Sequence, residues 1–331
     1  MPLVDAVTTD THRVAVIIVN YNGGDVILQC LTALQHQKFR DFQTVVVDNH
    51  STDTSLSAIQ RDFPWVRLLA LETNRGFAGG VNHALRECPH GSLVALLNPD
   101  AFPAPDWLAN LVAAADQHPQ YAAFGSRMFS DEAMQALDGV GDVYHISGLP
   151  WRQGHGQPNS TRYDRSTDIF APCAAAALYR ADALNAVGCF DEDLFLYAED
   201  VDVGFRLQLA GYRSLYVADA RVWHVGSVFV GKHSDFQIYH GHRNLVWVFV
   251  KNMPGLLFWL ALPLHVALNI VSILWFTLKG QGRVILRAKW DALRGLTHFW
   301  GKRKTIQSLR KASTTSIAKA LRWSMLRRRY R

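Results

Sequence analysis

Cysteine is scarce in this 331-residue sequence, and the four present, Cys30, Cys88, Cys173 and Cys189, show neither paired nor metal-type spacing. No disulfide framework or zinc–thiolate centre organises the chain, and free thiols in a reducing compartment are expected. No Gly-x-Gly-x-x-Gly follows the first apolar run and no Gly-Lys-Ser/Thr occurs anywhere. Both absences count against a dinucleotide oxidoreductase and a P-loop enzyme. Residues 1–10 lack the basic-then-apolar order of an export signal, so none is expected. Acids are almost missing from the end: Lys279 to Arg331 holds 16 Lys/Arg and only Asp291, a charge of +15. The other 18 basic and 27 acidic residues carry −9, and the whole chain +6. The basic stretch suits nucleic acid or anionic lipid, and its neighbours must decide between them.

What is present alternates. Arg13–Asn20 is a β-branched apolar run, and a helical pattern follows with Val26, Leu28, Cys30, Leu31 and Leu34 as its apolar face. Thr44–Asn49 is a second run ending in Asp48, and Val66–Leu71 a third. After it, Asn74-Arg75-Gly76-Phe77-Ala78-Gly79-Gly80-Val81-Asn82 permits close backbone approach to a ligand, and a helix starting near Ala78 would offer N–H groups to an anion. Ser92–Ala101 is a buried strand that stops at Asn98-Pro99-Asp100. Alternation from residue 13 to about 117 predicts βαβ units on a parallel sheet, whose strand tips face a crevice that binds ligands. Asp100 at such a tip suits Mg²⁺ or Mn²⁺ on a diphosphate; a loop Asp ahead of the helix near Asp106-Trp107 is the plainer alternative.

The ordered set Val19-Asn20-Tyr21-Asn22, Val47-Asp48-Asn49-x-Ser51, Asn74-x-Gly76-Phe77-Ala78-x-Gly80-x-Asn82 and Asn98-Pro99-Asp100 resembles the nucleotide-sugar half of the family-two inverting glycosyltransferases of GT-A fold, most closely the bacterial rhamnosyltransferase branch. The likeness covers roughly residues 13–252 and departs at Asn98, where the family's metal motif usually begins with Asp. It implies that Val19, Asn20, Tyr21, Asp48 and Asn49 meet the nucleotide, and that Asn74, Gly76, Phe77, Ala78 and Asn82 hold ribose and diphosphate beside Asn98 and Asp100. Ordinary turn and helix-surface roles remain open for Tyr21 and Asn82. It also implies that Asp200, in Glu199-Asp200-Val201-Asp202, is the base, and that His224 joins Asp100 on the metal. From the residues alone, Glu199 and Asp202 suit a helix dipole, and His224 a structural role. Arg243 on a helix spanning Phe236–Lys251 would contact phosphate or form a solvated face. Met128–Asp168 loses all periodicity and reads as a mobile loop or lid, and Ile169–Arg180 as a strand of small residues beneath a sugar.

Residues 252–278 contain no formal charge, and Leu256–Leu278 is long enough to cross a bilayer. Crossing from a cytosolic domain would place the +15 tail outside, against the positive-inside tendency. Pro263 interrupts the run, and His265, Asn269 and Ser272 form one polar stripe. A bent, monotopic or re-entrant element is expected, a buried soluble helix being the alternative. Leu286, Trp290, Leu293 and Trp300 among Arg and Lys read as an interfacial helix, which favours anionic lipid over nucleic acid. The expectation is a GT-A domain over 1–252 and a helical membrane-associated region over 253–331. The resemblance implies a dTDP-sugar donor, or a UDP-hexose, and a polyprenyl-diphosphate-linked saccharide acceptor at the cytoplasmic face of the bacterial inner membrane. A catalytically inactive sugar-nucleotide binding module is the rival class, motivated by Asn98.

Overall fold

The computed structural model describes residues 12–88, 91–226 and 234–324, so residues 1–10, Ser227 and the last basic residues lie outside it. The first half follows the expected alternation: β1 (Val14–Asn20), α1 (Val26–Gln35), β2 (Phe42–Asp48), α2 (Ser55–Asp62), β3 (Arg67–Ala70), α3 (Gly76–Glu87) and β4 (Leu93–Leu97). β1 lies between β2 and β4, parallel to both, and β2 pairs in parallel with β3. Strand side chains alternate between faces. Val14, Val16 and Ile18 therefore enter one core with α1, while Ile17 and Val19 enter another with Ala78 and Val81 of α3. The buried face of α1 is led by Ile27 with Cys30, Leu31 and Leu34; Val26 and Leu28, expected on it, are its half-buried flanks.

β5 (Ala101–Pro103), α4 (Trp107–Gln117), β6 (Tyr121–Phe129), β7 (Leu137–Gly139), β8 (Asp142–Tyr144), β9 (Pro150–Arg152), β10 (Thr167–Ile169), β11 (Ala176–Arg180), α5 (Ala181–Ala186), α6 (Glu199–Leu209) and β12 (Arg213–His224) follow. The main sheet runs β10-β12-β6-β11-β4-β1-β2-β3, with β11 antiparallel to β4 and β6. Two expectations fail here. Residues 128–168 are not a mobile lid: they build the end of β6, β7 and the β8–β9 hairpin, and residues 137–148 are buried. Residues 169–180 are not one strand, because Phe170–Ala175 turn between β10 and β11. The small side chain of Ala171 is set by Gly204 of α6, where a Cβ would lie 2.2 Å from that of Ala171.

The remaining described chain is helical: α7 (Asp235–Asn252), α8 (Gly255–Leu278), α9 (Gly282–Arg294), α10 (Leu296–Ser308) and α11 (Thr314–Ala320). α8 continues through Pro263 rather than stopping there. Leu257, Phe258, Ala261, Ala292, Phe299, Ile317 and Leu321 from these helices share one apolar cluster with Tyr144, Phe170, Leu194 and Phe205. The core thus runs without a break across residue 252. Cys30, Cys88 and Cys173 are buried free thiols, and Cys189 is a half-buried one.

Candidate active site

The β1–β2 register sets Asn20 opposite Asp48. Asn20 is fully buried, its Nδ2 donating to Asp48 Oδ1 at 3.0 Å and Ser55 Oγ at 2.9 Å. Asp48 also accepts from the Ser51 amide at 3.1 Å, yet each carboxylate oxygen keeps a lone pair for a donor. Beside this network Tyr21 is 45% exposed, its ring open to a planar ligand. Asn49 ties the next tip in place by donating to Asn74 Oδ1 at 2.9 Å and Gly76 O at 3.0 Å and accepting from Arg75 N at 2.8 Å. Gly76 has φ +69°, and a Cβ there would lie 2.3 Å from Phe195 O, so this loop fits only glycine. The Ala78 amide, expected to face an anion, donates to Phe195 O at 3.4 Å. Phe77 meets Phe190 edge-on at 6.0 Å. Asn82 is set apart from the crevice: its amide donates to Phe190 O at 2.8 Å and accepts from Phe190 N at 3.0 Å.

At the tip of β4 the Asn98 amide donates to Ala175 O at 2.9 Å, fastening the Asn98–Asp100 turn to the segment entering β11. β5 pairs antiparallel with β12 so that His224 stands opposite Ala101. This brings His224 Nε2 to 3.3 Å from Asp100 Oδ1, while Nδ1 donates to Asp138 Oδ2 at 2.8 Å. Asp138 is held in turn by Arg152 and, at 3.3 Å, by His155. Burial alone would depress the His224 pKa, but the two carboxylates outweigh it and lift the imidazole to about 9. Burial would raise Asp138, but the His224 hydrogen bond and Arg152 bring it down to about 2. A carboxylate oxygen and an imidazole nitrogen, with a second carboxylate orienting the ring from behind, fit a divalent cation that displaces the Nε2 proton on binding.

Asp200 opens α6, which meets the Ala174–Ala175 segment that fastens Asn98. Its carboxylate accepts from Ala174 N at 3.3 Å and Val201 N at 2.8 Å. The approach to α6 is strained: Phe195, Tyr197 and Ala198 all have φ between 63° and 71°, the left-handed region unfavourable to side chains. Asn244, fully buried on α7, donates Nδ2 to Leu194 O at 2.7 Å, Leu196 O at 3.0 Å and Tyr197 O at 2.8 Å, which holds that turn. Arg243 serves the same loop through Asp193 O and Leu194 O, both at 3.3 Å, and stacks over Trp247 at 4.3 Å. Asp202 is turned into the interior, accepting from Arg206 at 2.9 Å and Asn252 at 2.6 Å and pairing with Lys251 at 2.9 Å. Glu199 is buried with Oε2 unpartnered, and burial together with Asp200 pushes its carboxyl well above the usual range.

Sequence reasoning missed Asp142. Ligand atoms of Asp142, Cys173 and Asp200 all lie within 4.8 Å of one another. Burial, then the nearby Asp200, pushes Asp142 well above the usual carboxylate range. Burial keeps the Cys173 thiol protonated, making this trio a poorer seat for a hard cation than Asp100 with His224. The sequence signal for Asp142 was an acid in the Gly-rich Asp138–Asp142 stretch, which carried no strand pattern.

The mixed sheet with its carboxylates at one edge is that of a GT-A glycosyltransferase. Solved structures of this fold include GalNAc-T7 with UDP, GalNAc and Mn²⁺ (TM-score 0.58, 16% identity, 73% of this chain and 48% of that one). Another is the mannosyltransferase PcManGT from Pyrobaculum calidifontis in complex with GDP-Man and Mn²⁺ (0.55, 20%, 94% and 86%). The chain belongs to glycosyl transferase family 2, whose model matches residues 15–188, more than half of its length. It is 30% identical over 237 residues, 65% of this chain and 76% of the relative, to the N-acetylglucosaminyl-diphospho-decaprenol L-rhamnosyltransferase of Mycobacterium tuberculosis. It is also 27% identical over 222 residues, 65% of this chain and 17% of the relative, to the O-antigen biosynthesis protein RfbC of Myxococcus xanthus.

Proposed function

We propose that this protein is an inverting glycosyltransferase that moves a deoxyhexose, rhamnose, from a dTDP-sugar to a polyprenyl-diphosphate-linked saccharide in cell-surface polysaccharide synthesis. It works at the cytoplasmic face of the bacterial inner membrane, with residues 1–252 carrying the transferase site and 253–331 the membrane contact. The reading is carried by Asp200 and the Asp100–His224 pair meeting at one sheet edge, in a chain 30% identical to a rhamnosyltransferase. Asp200 takes the proton of an acceptor hydroxyl as that oxygen attacks the anomeric carbon; the bond from that carbon to the diphosphate oxygen breaks, and the nucleoside diphosphate leaves with its electron pair. Asp142 beside it, its carboxyl pushed up by burial and by Asp200, favours the neutral form and leaves the proton-accepting role to Asp200. Asp100 and His224 would hold Mg²⁺ or Mn²⁺, which supplies positive charge to the leaving diphosphate. Tyr21 and Asp48 contact the base, with Val19, Asn20 and Asn49 shaping that pocket. Asn74, Gly76, Phe77 and Ala78, with Asn98, line the ribose and diphosphate, and Asn82 supports them through Phe190.

The test is a donor screen with purified full-length protein and a synthetic polyprenyl-diphosphate N-acetylglucosamine acceptor. Release of dTDP with transfer of labelled rhamnose is the expected result. Transfer from UDP-hexose alone would replace the donor, and donor binding without nucleotide release would leave only a binding module.

A further inference from the structure

α8 is long and apolar enough to cross a membrane, but Leu257, Phe258, Ala261, His265 and Ser272 are buried in the protein along one face. The inner face is touched along its length. Phe258 packs against Phe249 of α7 at 5.4 Å and lies under the Arg303 guanidinium at 4.6 Å. Near the middle, His265 stacks on Phe249 at 3.9 Å and bonds through Nδ1 to Ser147 O at 2.8 Å. Close to the end, Phe276 meets His242 of α7 at 4.8 Å. Of the polar stripe seen in the sequence, Asn269 donates to His265 O at 2.7 Å and Ser272 to Leu268 O at 2.8 Å within the helix, while His265 Nε2 and Asn269 Oδ1 are buried without a partner. Opposite it, Leu256, Leu260, Ile270, Val271, Leu274 and Leu278 are exposed.

α9 also rests on α7 through its inner face, with Lys289 Nζ donating to His242 O at 2.9 Å and Trp247 Nε1 to Ala292 O at 2.9 Å. His242 touches both helices, and the two also pack against each other, which sets their exposed faces side by side. On α9 that face carries Leu286, Trp290 and Leu293, next to exposed Arg283, Arg287 and Arg294.

We propose that α8 and α9 together form a single membrane-contact face that lies in the plane of an anionic bilayer, and that α8 does not cross it. A crossing α8 would have to pull α7 and the Ser147 turn, with their polar groups, into the hydrocarbon, or break every contact along its inner face. Lying flat, it buries its apolar row while the arginines meet lipid phosphate. Ser147 is the turn of the β8–β9 hairpin, whose ends carry Asp142 and Arg152, so the flat seat sets the active site at the bilayer surface. The inference rests on the membrane association proposed above and deepens it.

The experiment uses the full-length chain. Flotation with phosphatidylethanolamine–phosphatidylglycerol vesicles, without substrate, should show binding that Leu260→Glu with Leu274→Glu weakens ~10-fold or more. Because both side chains are exposed, the folded state and transfer to a water-soluble acceptor should be unchanged. For sidedness, Gln60→Cys and Thr305→Cys, both exposed positions before and after α8, are each made in a Cys189→Ser background and treated with an impermeant maleimide. Both should label in inverted inner-membrane vesicles and neither in intact spheroplasts. Labelling of Thr305→Cys only from the outside would overturn the in-plane seat while leaving membrane attachment standing. Unaltered flotation of the double glutamate variant would also overturn it, and a wild-type chain that never floats would remove the attachment itself.

Discussion

Two carboxylates within 4.8 Å of each other cannot both be the base, and their surroundings separate them. Burial and Asp200 favour the neutral form of Asp142, and Asp142→Asn keeps the charge and size of that form. Asp200→Asn removes the proton acceptor. Transfer should fall ~10²–10⁴-fold in the Asp200 variant with donor binding nearly intact, and by less than ~10-fold in the Asp142 variant. Steady-state turnover and donor affinity of both variants check this, and equal losses would reverse the roles. At the metal pair, His224→Ala should raise the Mn²⁺ concentration for half-maximal turnover at least by the ~10–100-fold typical of lost coordination support. Full wild-type activity in excess chelator would contradict it. Asp100, Asp48 and Asp200 were legible because each follows an apolar run or opens a helical one. Asp142 was not, since its meaning lies in Cys173 and Asp200, far along the chain, to which no local period points.

At the scale of elements, β1 to β4 and α7 were legible from run length and period, and the β8–β9 hairpin was not. Its three-residue strands are too short to show alternation, and their stability comes from the Ala171 and Arg322 backbones, which accept from Asp142 N at 2.8 Å and Ile146 N at 2.9 Å. α9 adds a cost that can be measured. Lys289 is 8% exposed, and burial lowers its pKa to about 7, against ~10.4 in an unfolded chain. Between these values the unfolded chain binds more protons, so this group makes stability rise with pH by at most ~1.4 kcal/mol per unit. Lys289→Met removes the titration. The wild type should gain more stability than the variant in urea unfolding between about pH 7 and about pH 9.5. Parallel gains in the two proteins would show that Lys289 is charged in the fold.

For the whole molecule, the charge split of −9 and +15 marks two regions that the packing does not separate. Asp191 is bonded by Lys251 and by Lys302 of α10, and its carboxyl is held well below the usual range by those cations despite burial. Phe299 stacks on Trp247 at 4.3 Å, Arg322 N donates to Tyr144 O at 2.9 Å, and Ile317 and Leu321 complete the cluster around Phe170 and Phe205. Composition displayed the basic tail as an appendage because charge counts see the outer faces of these helices and not their inner ones. Fully burying one Leu, Ile or Phe is worth ~1.5–3 kcal/mol, and Leu257, Phe258, Phe299, Ile317 and Leu321 together rival the ~5–15 kcal/mol that stabilises a typical domain. A chain ending at Asn252 would also strip Asp191 and Asp193 of Lys302, a loss beyond the apolar one. Such a chain should therefore unfold below the full-length Tm by ten degrees or more, on the order of what several kcal/mol produce in a domain of this size, and lose dTDP-sugar binding together with membrane binding. Thermal unfolding and donor binding measured on both chains decide it. A truncated chain with an unchanged Tm and undiminished donor affinity would show that the C-terminal helices are a detachable anchor and not part of the transferase core.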